Sequence, residues 1–182
     1  MPYVPTKVFL TKGVGKAKDK LTSFEAALRD ARISQFNLVS VSSILPPKCK
    51  FIPRSKGAGL LQPGQVVHCV LAQSSTNEPN RLIGASIGVA VPKDSNHYGY
   101  ISEHHSYGET AKKSSDYAED LAAQMLATIL GVPFDLNKNW NERKEFWKIS
   151  DEIVRTSNIT QTAEGDKDGR WTTVVAAVVF VP

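Results

Sequence analysis

Leu82-Ile-Gly-Ala-Ser-Ile-Gly-Val-Ala-Val91 is the stretch on which the fold turns. Side chains alternate between the two faces of a strand. Gly84, Ser86, Gly88 and Ala90 therefore fall together on one face. Residues that small let a helix or another sheet come close to the backbone, which predicts that this face is buried.

Working outward, alternating or apolar runs predict strands at 65–73 (QVVHCVLAQ) and 98–104 (YGYISEH), then at 3–10, 36–42, about 149–161 and 171–181. Gly13 and Gly15 read as the loop after the first strand, and Gly57, Gly59, Pro63 and Gly64 as a loop over 54–64. Pro46-Pro47 ends the 36–42 strand, because proline lacks the amide that a ladder requires. Thr22 opens a short helix with the Thr22-x-x-Glu25 spacing of a capping box, and Phe24, Ala27, Leu28 and Ala31 form its buried stripe. The longest helix spans 110–130, with Ala111, Ala118, Leu121, Ala122, Met125, Leu126 and Ile129 at helical spacing and Gly131 placed for a left-handed stop. Residues 135–148 fit no element. Runs of strands interrupted by two helices predict an α+β sandwich in one domain, 1–182, rather than a parallel doubly wound sheet.

The 182 residues, 41% of them hydrophobic, suffice for one real core. Cys49 and Cys69 lack CxxC spacing, which argues against a disulfide framework or a cysteine zinc site and for a reducing, cytoplasmic home. No charged-then-apolar signal segment opens the chain. The longest apolar run, Val174 to Val181, falls far short of the ~20 residues of a membrane helix, so a soluble protein is expected. The net charge of +4 draws on Lys7, Lys12, Lys16, Lys18 and Lys20. Such a stretch attracts phosphate backbones or simply solvates a turn between strand and helix. The turn is the reading taken, and no nucleic acid is expected, because no aromatic is interleaved for base stacking.

Several familiar sites are excluded. Gly13-Val-Gly-Lys16-Ala17 lacks the spacing and the hydroxyl of a phosphate loop, and there is no Gly-x-Ser-x-Gly elbow. His104 and His105 point to opposite faces of a strand and make a poor metal site, so none is expected. What remains is Ser42-Ser43-Ile-Leu-Pro-Pro47, two hydroxyls among apolar residues where a strand stops abruptly. On local chemistry alone these serines read as a strand end bonded to its own backbone.

Asn37-Leu-Val-Ser-Val-Ser42-Ser43-Ile-Leu-Pro-Pro47 resembles the processing segment of pyruvoyl-dependent arginine decarboxylases. A second block, Val89-Ala-Val-Pro-Lys-Asp94 continuing through Gly99-Tyr-Ile-Ser-Glu103, agrees with the family in order and spacing. The similarity runs from about residue 6 to 131, thins at the final strand and is poor across 133–150. The resemblance implies a four-layer αββα sandwich, two mainly antiparallel sheets between helices, assembled as a trimer with active sites between subunits. It implies an inactive proenzyme in which the Ser43 hydroxyl attacks the Ser42 carbonyl. Elimination from the resulting ester then separates residues 1–42 (beta chain) from 43–182 (alpha chain). A covalent pyruvoyl group built from Ser43 would be the only cofactor, its carbonyl condensing with the substrate amine as a Schiff base. The reaction implied is L-arginine to agmatine and carbon dioxide, a route into polyamines.

The resemblance also assigns roles. Asn37 matches a polar residue near the cleavage site whose amide would bond the oxyanion or hydroxyl involved. It also reads as a residue capping its own turn at the start of a strand. Glu103 matches the proton donor, for which burial should raise its pKa; otherwise it is an exposed strand carboxylate. Glu25 falls where the family has an acidic residue, an aspartate, that binds the substrate guanidinium; its capping-box reading competes. Two alternatives remain, a pyruvoyl decarboxylase of another amino acid such as histidine, and a non-catalytic basic phosphate or nucleic-acid binder.

Overall fold

The computed structural model describes residues 3–131 and 153–182. The stretch 135–148 and the start of the strand expected from 149 lie outside them. Nine strands and three helices are described: β1 (Lys7–Ala17), α1 (Lys20–Asp30), β2 (Asn37–Ser40), β3 (Ile44–Leu45), β4 (Lys50–Phe51), α2 (Arg54–Ala58), β5 (Val66–Thr76), β6 (Leu82–Pro92), β7 (Gly99–Tyr107), α3 (Ala111–Ile129), β8 (Ile153–Glu164) and β9 (Trp171–Val181). They form a five-stranded sheet, β2-β5-β9-β1-β4, and a four-stranded sheet, β3-β7-β6-β8. Only β1–β4 and β2–β5 pair in parallel.

The order of layers follows from which residues meet. Val174, Ala176, Val178 and Phe180 of β9 join Ile83, Ala85, Ile87 and Val89 of β6 in a core between the sheets. The alternate residues Val175, Ala177, Val179 and Val181 pack on the other side with Ala27 and Ala31 of α1. On the outer face of β6, Ala90 lies with Ala122, Ala123, Leu126 and Ala127 of α3. The layers are α1, sheet, sheet, α3: an αββα sandwich of the α+β class. Each buried Val or Ile contributes roughly 1.5–3 kcal/mol. Exposed ion pairs contribute about 0–1 kcal/mol each, so the three apolar layers dominate stability.

The small face of β6 is buried as its sequence predicts, and the reason is close approach. A Cβ built on Gly88 would overlap the backbone carbonyl of Ala118 in α3. Ser86 Oγ meets Ser114 Oγ at 2.7 Å, Ser106 Oγ meets the same hydroxyl at 3.1 Å, and Thr160 donates to Ser86 at 2.9 Å. Buried hydroxyls between helix and sheet are thereby satisfied.

The same device corrects the reading of Gly13 and Gly15. They lie inside β1, not in a loop, because their faces carry α1: a Cβ on either would fall on the helix backbone at Ala27 and Ala31 or at Ser23. The first strand therefore runs to Ala17, and Lys7, Lys12 and Lys16 sit on a strand rather than a turn. They are engaged there. Lys7 donates to Pro182 O at 3.0 Å, Lys12 to Thr160 O at 3.0 Å, and Lys16 lies 3.7 Å from Asp166, while Lys20 stands 5.3 Å over the Trp171 ring. Residues 54–64 also differ from expectation, since their first half forms α2, with Gly57 admitting the Phe9 ring. Helix α1 starts at Lys20 behind Asp19, so the Thr22–Glu25 capping box is not made. Docking sets that start: Ser23 is buried, bonding Thr173 Oγ1 at 2.7 Å and Lys20 O at 2.7 Å. Helix α3 matches its expected span, with Thr110 as N-cap and Gly131 at φ 66°.

Gly88→Ala is expected to cost about 3 kcal/mol or more, because the added methyl meets helix backbone that cannot rotate away. Gly59→Ala, at an ordinary helical φ of −71°, should change stability by less than about 1 kcal/mol. Chemical denaturation of both variants checks the contrast.

Candidate active site

Chain tracing puts Ser42-Ser43 at the crossover from one sheet to the other. β2 is an edge strand of the five-stranded sheet and pairs with β5 from Asn37↔Val66 to Ser40↔Cys69. β3 is an edge strand of the other sheet and pairs with β7, Ile44 opposite Tyr100. The three residues between them, Val41 to Ser43, bridge the mouth of the sandwich. Val41 N–H donates to Cys69 O at 2.9 Å and Ile101 N–H to Ser43 O at 2.7 Å, so each end of the bridge is tied to its own sheet. Ile44 N–H turns back to Ser42 O at 3.0 Å. The expected strand ends at Ser40 rather than Ser42, because the chain must leave its sheet to reach the other.

A cavity of about 290 Å³ opens beside the bridge, lined by Tyr3, Val41, Ser42, Ile44, His68 and Phe180 among others. That is near the lower end of small-molecule sites. The Tyr3 and His68 rings lie 5.9 Å apart at its wall. No carboxylate is among its lining residues.

Glu103 lies two residues along β7 from Ile101, the residue that holds Ser43. It pairs with Ile87 of the inter-sheet core, so the two share a face at the rim of that core. Burial pushes its pKa above the ordinary carboxylate value, and His105 pulls it partly back. His105 Nε2 is 3.8 Å from the Glu103 carboxylate, while its Nδ1 meets Gln73 O at 2.8 Å across the gap to β5. His104 points the other way, to Glu109 at 2.9 Å and the Tyr117 ring, as strand alternation requires. Cys49 and Cys69 are free thiols whose pKa values burial pushes up to about 11, with the Glu103 carboxylate adding to the effect at Cys69. Thiols so protonated are poor nucleophiles.

Within one protomer Ser42 and Ser43 share the crossover, and Glu103 lies on the strand whose Ile101 amide holds the Ser43 carbonyl. Asn37 and Glu25 lie elsewhere. Asn37 Nδ2 donates to Gly64 O at 2.7 Å, pinning a left-handed turn at the base of β5. Glu25 stands on α1, on the far side of the five-stranded sheet from the inter-sheet core, and its carboxylate is gripped in a fork by Arg29 one turn on. His68, Tyr3 and the amides of Ile44 and Ile101 escape a reading of the sequence. Backbone donors leave no trace in residue types, and His68 shows only as one polar residue in an apolar strand.

Comparison with known proteins follows this geometry. The family model described as pyruvoyl-dependent arginine decarboxylase matches residues 7–182. A Chloroherpeton thalassium protein named "Probable pyruvoyl-dependent arginine decarboxylase" is 58% identical over 182 residues, the whole of both chains. Methanosarcina mazei has a "Pyruvoyl-dependent arginine decarboxylase 2" that is 60% identical over 98% of this chain and 97% of its own. A Chlorobaculum tepidum protein, named like the first, is 59% identical over both full lengths.

Glu103 is expected to titrate above ordinary glutamates, and His105→Gln should raise it further, since that change removes the neighbouring positive charge and keeps the bulk. Carbon-13 NMR titration of the side-chain carboxyl measures both. A parent value at or below that of ordinary glutamates would show that burial is not what governs this group.

Proposed function

The chain belongs to the pyruvoyl-dependent arginine decarboxylase family, and from that premise we propose that it cleaves itself between Ser42 and Ser43 and then converts L-arginine to agmatine and carbon dioxide. The observation that carries this reading is the bridge: the Ser42-Ser43 bond is strung between two sheets, tied at each end and open to a cavity.

The residues present fit a pyruvoyl group at position 43. The Ser43 carbonyl is held by Ile101 N–H, and Ser42 and Ile44 line the cavity where substrate would arrive. Once formed, the group supplies an electrophilic carbonyl conjugated to an amide, which takes the substrate amine and accepts the electrons left by carbon dioxide. The protein does the rest. Ile101 N–H holds the conjugated amide oxygen. Glu103, whose pKa burial raises, would protonate the carbon that loses carboxylate.

Arginine requires a carboxylate fork for its guanidinium, and the cavity of one protomer has none along its wall. In this reading Glu25 supplies it from a neighbouring protomer of a trimer, exchanging Arg29 for the substrate guanidinium. Two free thiols fit a reducing, cytoplasmic setting. Among the described residues no helix is long and apolar enough to cross a membrane.

Intact-mass analysis tests the first half of the proposal: fragments 1–42 and 43–182 are expected, the second with a blocked N-terminus, and Ser43→Ala should stay one chain. Splitting of Ser43→Ala at the same bond would sink it. For the second half, Glu103→Gln should process yet release carbon dioxide from arginine roughly 10²–10⁴-fold more slowly. Turnover near that of the parent removes Glu103 from the donor role. Glu25→Gln should raise KM for arginine while changing stability by no more than about 0.5 kcal/mol, the worth of an exposed ion pair one helical turn apart. An unaltered KM removes Glu25 from the substrate site, and a preference of the parent for histidine would overturn the choice of substrate.

A further inference from the structure

Side chains two apart on a strand share a face, roughly 7 Å from one to the next. On β7 that face carries Ile101, Glu103 and His105 in turn. Ile101 N–H holds the Ser43 carbonyl, so His105 lies beyond Glu103 on the side away from the serine pair. Its side chain is 48% exposed. The ring spans the two sheets, with Nδ1 at 2.8 Å from Gln73 O of β5 and Nε2 at 3.8 Å from the Glu103 carboxylate. The Gln73 N–H lies farther from Nδ1, at 3.4 Å, so the carbonyl takes the Nδ1 proton. That leaves Nε2 as the nitrogen that gains and loses a proton, and it faces Glu103. The remaining gap is closed by the terminal torsion of a glutamate, which is soft. Among the described residues, Cys69 of β5 is the other titratable group set against Glu103. Its thiol, pushed up to about 11 chiefly by burial, holds its proton too tightly to supply a carboxylate.

We propose that His105 is a positioning residue that returns a proton to Glu103 after each turnover, an inference that rests on the decarboxylase reading above. As carbon dioxide leaves, its bonding electrons stay on the α-carbon, and Glu103 gives that carbon its carboxyl proton. The carboxylate so formed takes the Nε2 proton of the His105 imidazolium. Nε2 then recovers a proton from solvent at the exposed side of the ring. One solvent proton is consumed for each carbon dioxide released, so atoms and charge balance with no further reactant. Imidazole suits the step because it both takes and gives a proton near neutrality. Gln73 O keeps Nδ1 protonated throughout, so the ring passes the proton on without turning over.

Two substitutions separate this role from the bridge to Gln73. His105→Asn places an amide N–H near the position of Nδ1 and so keeps the bond to Gln73 O, whereas His105→Gln does not. Both lack Nε2 as a proton carrier. His105→Asn should melt as the parent does and carries the test if His105→Gln is unstable. In processed protein, kcat for carbon dioxide release from arginine should fall about 10–10²-fold in both, with KM unchanged. Free imidazole should restore much of the loss in the variants and leave the parent as it was. A folded His105→Asn enzyme within about threefold of the parent overturns the inference, leaving His105 as a bridge alone. A loss that imidazole does not restore overturns it as well, since the ring then acts through its charge or its packing. A processed parent that releases no carbon dioxide from arginine overturns the reading of the reaction, and this inference with it.

Discussion

Strands β6 and β9 are each covered on both faces, and that double burial governs the architecture. A strand with a helix on one side and a sheet on the other cannot alternate apolar with polar residues, which is why β9 is apolar from Val174 to Val181 and β6 carries no charge. Helices lying this close leave no room for side chains beneath them. Gly13 and Gly15 under α1, and Gly88 under α3, are the consequence. Hydroxyl pairs, Ser23 with Thr173 and Ser86 with Ser114, settle the polar cost on the two outer layers in the same manner.

Two sheets built this way have edges, and the chain has to pass from one to the other. It does so at Val41–Ser43, between the edge strands β2 and β3. A segment that belongs to neither sheet has unpaired peptide groups, and these take partners from both: Cys69 O on one side, Ile101 N–H and Ile44 N–H on the other. The bridge thus owes its held geometry to the sandwich, and its exposure to lying at the rim. Glu103 shares the position. Burial raises its pKa, while its side chain stays 34% exposed. Such a compromise between desolvation and access is what a proton donor needs near neutral pH.

Glu25 and the Ser42 cavity lie apart within one protomer. One protomer holds the serine pair and Glu103, and its cavity wall has no carboxylate. An acid already forked by Arg29 on an outer helix shows that the carboxylate is accessible to a guanidinium. Subunits that meet at the rim of the sandwich would complete what each lacks.

Much of this was legible in the residues. The bare face of 82–91, the apolar final strand and the α3 stripe specified strands and a helix to be buried, because alternation and helical spacing are local geometry. Ser42-Ser43 before Pro46-Pro47, with Glu103 in its later block, pointed to the family through its likeness. Glycine misled: Gly13 and Gly15 read as a loop since a missing side chain looks the same whether it frees a turn or admits a helix, and only the packing of α1 decides which. The Thr22–Glu25 spacing likewise met the needs of a cap that docking moved one turn earlier. Sequence by itself therefore determined the long strands and helices and their buried faces. Tertiary structure alone decided that the serine pair spans two sheets, that backbone amides rather than Asn37 hold its carbonyls, and that Glu25 stands apart. Those facts depend on distances between segments far apart in the chain, which no local pattern encodes.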